Sequence, residues 1–223
     1  LGDKVGAARA LTYISITTYW QGEYAEAAAV AAQAVALQNE WGDASSTAYA
    51  REIQAMAVAK SGDLAQGMQL LQQCLAAFRT ISDQSGQALI WNDMGLVAYL
   101  QGDAAQAITL HQAALQAAWA IGDKRRMAFC LEGIAMSWAL GAEGADDAAA
   151  AQTHQLRTVQ LFGAVAALRT AIGAPLPPTE RADYEQSLVA VRTRVEPLRF
   201  EAAWREGEEM PLEAILNWLS TNQ

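Results

Sequence analysis

The stretch WNDMGLVAYLQGDAAQA, residues 91–107, decides the fold. Gly95 interrupts an apolar helical pattern, and seven residues later the pair Gly102-Asp103 stands before a second, alanine-rich run. Such a pair could close a helix, cradle a phosphate or mark a joint in something repetitive. The remainder of the chain chooses among these. Gly-Asp or a close variant recurs at Gly2-Asp3, Gly22-Glu23, Gly42-Asp43, Gly62-Asp63, Ser82-Asp83, Gly102-Asp103 and Gly122-Asp123, always 20 residues apart. A strict period means one structural unit used repeatedly. Glycine accepts the left-handed backbone that ends one helix, and aspartate caps the first turn of the next. Each step therefore reads as a helix of about 17 residues, roughly 25 Å long, followed by a corner. A Walker-type loop needs G-x-x-x-x-G-K-[ST], which these joints do not supply. The joint most suggestive of an anion site is GDKRRM, 122–127, where Lys124, Arg125 and Arg126 open a helix, a pattern that equally suits a solvated first turn.

Composition agrees with helices throughout. All five prolines lie at or beyond Pro175, so the long preceding segment offers no helix breaker, and no segment alternates with the period of a half-buried strand. With 52% hydrophobic residues in 223, there is ample material for a core. The net charge of -9 argues against electrostatic binding of nucleic acid or an anionic membrane by this chain, since both need a basic face. The two cysteines, Cys74 and Cys130, each fall inside an apolar helical pattern, which suits a reducing compartment better than a disulfide framework. No leader or membrane-length apolar run is visible, so a cytoplasmic location is expected. The chain opens at a joint, LGD, equivalent to WGD at 41–43 and IGD at 121–123. That leads us to expect a preceding repeat in a longer parent, and self-association through an uncapped first repeat.

Adjacent half-units pair into a 40-residue repeat, seen best over residues 82–121. There Trp91, Gly95, Tyr99, Gly102-Asp103, Ala107, Ala114 and Leu115 stand at the mutual spacing of the tetratricopeptide repeat, which this chain resembles. Looser matches are Ser15, Gly22, Tyr24, Ala27 and Ala34 in the first unit, Ala55, Gly62, Gly67 and Cys74 in the second, and Ala135 in the fourth. The resemblance implies an all-α superhelix of antiparallel helix pairs. The usual repeat of about 34 residues is lengthened here and its closing proline is absent, so longer second helices are expected. Gly95 is expected to admit close approach of the partner helix.

The period fails after residue 141. AEGADDAAAAQ, with its Asp146-Asp147 pair, reads as an insertion that starts a longer final second helix, and it lacks the further ligands of a metal site. The chain then divides into a solenoid over 1–173 and a proline-bounded capping tail over 174–223. Three short helices are expected in the tail, near 179–195, 197–207 and 212–220, with Thr179 capping the first and Pro197 and Pro211 in first turns. The segment LFGAVAALRTAIGAPLPPTERADYEQSL, followed by FEAAWREGEEMPLEAI, resembles the closing part of bacterial regulators that join a signal-transduction ATPase of the STAND class to helical repeats, many of them LuxR-type transcriptional regulators. That likeness implies a sensor or scaffold arm whose ATPase and DNA-binding modules lie elsewhere, and other domains of the parent as partners.

In such solenoids the first helices line the concave face. The 40-residue period places Arg9, Tyr49, Leu89 and Phe129 in one row there, and Thr12, Glu52, Asn92 and Glu132 in the next. A third row holds Ile16, Met56, Leu96 and Met136, and a fourth runs from Tyr19 through Ala59, Tyr99 and Ala139. This surface is apolar, aromatic and mildly acidic. It suits an amphipathic or basic helix of a protein or peptide partner, or a small apolar effector, with methionine supplying adaptable contacts. The same stripe could equally be packed core. No catalytic motif or cofactor fingerprint is present, and the two histidines, His111 and His154, sit on different helices. The expectation is a non-catalytic binding domain without a cofactor, or else a self-assembly scaffold with no external ligand.

Overall fold

A computed structural model describes residues 3–41, 43–141 and 148–221. They form eleven helices and no strand. In chain order these are α1 (Lys4–Trp20), α2 (Tyr24–Trp41), α3 (Ala44–Lys60), α4 (Leu64–Thr80), α5 (Gln84–Leu100), α6 (Ala104–Ala120), α7 (Lys124–Gly141), α8 (Ala148–Ile172), α9 (Pro178–Arg192), α10 (Pro197–Glu208) and α11 (Leu212–Thr221). The Asp146-Asp147 pair and the proposed insertion start lie outside the described residues.

The joints work by one device. Gly22, Gly62, Gly102 and Gly122 adopt positive φ, and the residue after each returns its N–H to a carbonyl five residues back, as in Asp103 N to Ala98 O at 3.0 Å. That is the Schellman closure of a helix. The same aspartate then accepts the backbone N–H three residues on, as in Gln106 N to Asp103 Oδ1 at 2.9 Å, and so caps the next helix. At Asp63, Asp103 and Asp123 one residue thus serves two helix ends, which keeps those corners to three residues and the helices on either side antiparallel. At Ser82 the left-handed position is filled without glycine, at φ 56°.

From α1 to α8 each helix packs on its chain neighbours, and α1, α3, α5 and α7 also touch in succession. The result is a helical-repeat superhelix with an inner layer of odd helices and an outer layer of even ones. Small residues set the spacing: Ala27, Ala34, Ala107 and Ala114 are fully buried, and a methyl at Gly67 would lie 2.6 Å from Ala59 Cβ. Both helices of the second and third units are 17 residues long. In these two units the extra length of the repeat is therefore shared between the pair, whereas the final second helix, α8, has 25 residues against 18 in α7, as expected.

The tail departs more sharply from a simple end cap. α10 packs along α8 at backbone contact: a methyl at Gly163 would meet Trp204 O at 2.2 Å, and one at Gly207 would meet Gln160 O at 1.9 Å. α11 also rests on α8. α9 instead turns inward onto α7 and α8, and its side chains reach across to α3 and α5. Pro177, not Thr179, precedes its first turn, and no side chain caps it. Pro178 occupies the first helical position, where its missing N–H costs nothing.

Candidate functional site

Between the inner layer and α9 lies a cavity of about 350 Å³. Its floor comes from the predicted concave rows. From the second row come Glu52, Asn92 and Glu132, and from the third the whole set, Ile16, Met56, Leu96 and Met136. Leu89 and Phe129 of the first row and Tyr19 of the fourth complete the predicted contribution.

Of the other six predicted residues, Ala59 and Ala139 are buried and do not line the cavity, and the remaining four lie elsewhere. Arg9 is exposed at the start of the stack. Thr12 accepts a hydrogen bond from Gln38 Nε2 of α2 at 3.1 Å, which turns it into its own helix pair. Tyr49 donates to Asp83 Oδ2 at 3.2 Å and packs edge-on against Phe78. Tyr99 bonds Ser187 Oγ of α9 at 2.9 Å and so helps hold the roof.

Two more contacts anchor α9 or the wall behind it. Lys60 Nζ of α3 lies 2.8 Å from Asp183 Oδ2, and both side chains are largely buried. Arg169 of α8 reaches Glu132 Oε2 through Nε at 2.9 Å and Nη2 at 2.5 Å, while its guanidinium carbon stands 4.6 Å over the Phe129 ring. Its Nη1 also donates to Ala174 O, at the start of the proline spacer. Glu180 and Asp183 present the charged underside of α9 to the cavity.

Burial governs the electrostatics. Desolvation raises the Glu132 carboxyl to about 7 even though Arg169 opposes it, and raises Glu180 to about 8, with the Glu132 charge adding to the effect. Glu52 and Asp93 hydrogen-bond each other, and burial pushes both carboxyls upward, with Arg126 opposing. Burial likewise raises the Tyr19 phenol, helped by the charge of Asp93. Carboxyl groups in such surroundings hold protons near neutrality unless positive charge is supplied.

His111 is a structural residue of the wall. Its imidazole is 2% exposed and lies between Gly95 of α5 and Gly133 of α7, where added methyls would come within 2.7 Å and 2.3 Å of the ring. Gly95 therefore makes room for a side chain of α6, a more specific role than close helix approach. Nδ1 stands 3.2 Å from Asn92 Oδ1, which requires the proton on Nδ1, and burial lowers the ring to about 3, so it stays neutral.

Sequence reasoning missed Asp93, Arg126, Glu180 and Asp183 as site residues. Asp93 neighbours Asn92 on the concave helix and replaces Ile53 and Gly133 of the adjacent units, so a charge at that register was a readable signal. Glu180, Asp183 and Ser187 share one face of α9 at i, i+3 and i+7. Their encounter with the groove was not readable, because it depends on where the proline spacer sends α9. Among the described residues, no group of three or more His, Cys, Asp or Glu could hold a metal ion. No described helix is long and apolar enough to cross a membrane. No protein-family model and no curated protein matches this chain.

Proposed function

We propose that this chain is a non-catalytic, tetratricopeptide-like sensor domain of a bacterial signalling ATPase or LuxR-type transcriptional regulator, cytoplasmic, and that it binds its effector in the cavity beneath α9. The observation that supports this most is the enclosure itself. Ten of the sixteen residues expected on the concave face line one cavity, of a size typical for small-molecule sites. A long peptide needs an open track, and α9 lies across it, which favours a small effector over an amphipathic helix. The remaining parts of the parent would sense whether α9 is seated.

A second reading, a self-assembly scaffold, draws on α1, where Val5, Tyr13 and Ile14 are exposed, Tyr13 at 71%. The effector reading is tested by a thermal-shift screen of small molecules on the native chain and on Leu96→Trp, which fills the cavity. Stabilising compounds should lose their effect in Leu96→Trp while its circular dichroism stays helical. Compounds that act equally on both would put the site elsewhere, and concentration-dependent dimerisation without any stabilising compound would favour the scaffold.

A further inference from the structure

The walls of the cavity divide sharply by charge. Glu132 is paired with Arg169, Asp183 with Lys60, and Asp123 is occupied in capping α7 through Arg126 N at 2.9 Å. Glu52, Asp93 and Glu180 line the same cavity and form no ion pair among the described residues. Asp93 is 7% exposed and Glu52 8%. Oδ2 of Asp93 is buried and accepts no hydrogen bond, which is unusual for a carboxylate oxygen in a folded interior. Arg126 is the one guanidinium acting on the Glu52–Asp93 pair, and it does so without an ion pair, its buried Nε also lacking an acceptor. Glu52 and Asp93 hydrogen-bond each other and Arg125 and Arg126 also line the cavity, yet among the described residues Glu52, Asp93 and Glu180 have no ion-pair partner and Asp93 Oδ2 is left without a donor.

Resting on the effector reading above, we infer that the cavity takes a small organic cation, an amine or guanidine on an apolar or aromatic body, with its charged head against Asp93 and Glu52. The head supplies the hydrogen-bond donors that Asp93 Oδ2 lacks and the positive charge that the carboxyls lack. The body lies on Leu96, Ile16, Met56 and Met136, and the unbranched thioethers of the two methionines adapt to varied shapes. A metal ion does not serve, because no three ligating side chains converge among the described residues. An anion adds to the acidic excess of the lining, and a molecule with no donor at its head leaves Asp93 Oδ2 without a partner.

Occupancy moves protons. Burial pushes the carboxyls of Glu52, Asp93 and Glu180 upward, Asp93 to about 6 and Glu180 to about 8. A cation favours their ionised forms, so binding releases protons. The other facing groups buffer this little: Glu132 stays with Arg169, Asp183 with Lys60, His111 is neutral, and burial keeps the Tyr19 phenol protonated.

The test is calorimetric titration of the whole chain with tyramine, phenethylamine, cadaverine and agmatine, alongside the neutral 4-ethylphenol. The expected result is at least one amine binding about ten-fold or more tighter than 4-ethylphenol. Its heat should depend on the ionisation enthalpy of the buffer between about pH 6 and 8. Asp93→Asn should weaken that amine about ten-fold without loss of helicity, and Glu52→Gln serves as the second variant if Asp93→Asn fails to fold. Equal binding of amines and 4-ethylphenol, or indifference to both substitutions, overturns the cation while leaving the effector cavity standing. Failure of all four amines at millimolar concentration also overturns it, and the Leu96→Trp screen then judges the cavity separately.

Discussion

At the scale of single residues, the interior is governed by two unlike solutions to burying polarity. His111 is accommodated by absence of side chains around it. Gly133→Ala would set a methyl 2.3 Å from the ring, so the imidazole must shift and give up its bond to Asn92. We expect a loss of about 1–3 kcal/mol by denaturant unfolding. In the His111→Ala background the same substitution should cost far less, and equal costs in both backgrounds would disprove the contact. Glu132 is accommodated by a partner. Arg169→Met removes the charge that opposes the desolvation of Glu132, so the carboxyl takes up a proton and the loss of its buried hydrogen bonds should cost about 1–3 kcal/mol at neutral pH, whereas Arg169→Met with Glu132→Leu should recover most of it. The concave rows were legible in the sequence because a fixed period assigns a face to each position. Thr12 and Tyr49 were misplaced because face alone does not say which partner a polar group finds: Gln38 claimed one and Asp83 the other. Asp93 was overlooked although it stands where Ile53 and Gly133 stand in the adjacent units, because only the rows of the concave face were compared.

For whole elements, the joints carry the information. A glycine with left-handed backbone and an aspartate with a free carboxylate fix where one helix ends and the next begins, so helix boundaries were readable to within a residue or two from α1 to α7. Ser82 is the exception that tests this account. A side chain in that conformation is strained by about 1 kcal/mol relative to glycine. Ser82→Gly should therefore raise the melting temperature by a few degrees, and an unchanged or lower value would show that strain is not what the other joints avoid. The tail was legible only in part. Prolines marked the starts of α9 and α10, but capping by Thr179 was read from residue type alone, and Pro178 already supplies a preorganised first turn. Docking of α10 through Gly163 and Gly207 involves residues 44 positions apart with no period to relate them.

Across the whole molecule, the buried carboxyls impose a pH dependence whose sign follows from the direction of their shifts. Folded-state values raised above the unfolded ones, to about 7 for Glu132 and about 8 for Glu180, mean that the native chain binds more protons than the unfolded chain in that interval. Their contribution is complete below about pH 4.5 and is lost as pH rises through those values. His111, held near 3, acts oppositely, but only below about pH 6.5. Between about pH 6.5 and 8.5 only the carboxyl effect remains, so the melting temperature should fall, by about 2–4 °C for each kcal/mol lost. A flat or rising profile there would mean that the carboxyls are solvated. The overall class, an all-helical repeat stack, was plain from the twenty-residue punctuation. What could not be read was that the stack closes over part of its own hollow, because that contact joins Lys60 to Asp183 across most of the chain.

A stack of helix pairs is ordinarily a spring, since each rung meets only its neighbours and small rotations add along the axis. Here α9 is fastened to α3 by Lys60–Asp183 and to α5 by Tyr99–Ser187, and it rests on α7 besides. It therefore acts as a batten nailed across three rungs, and curvature cannot change unless the batten lifts. Pulled from its two ends, the molecule should stretch stiffly at first and then soften abruptly when those two fastenings part, long before any rung unwinds.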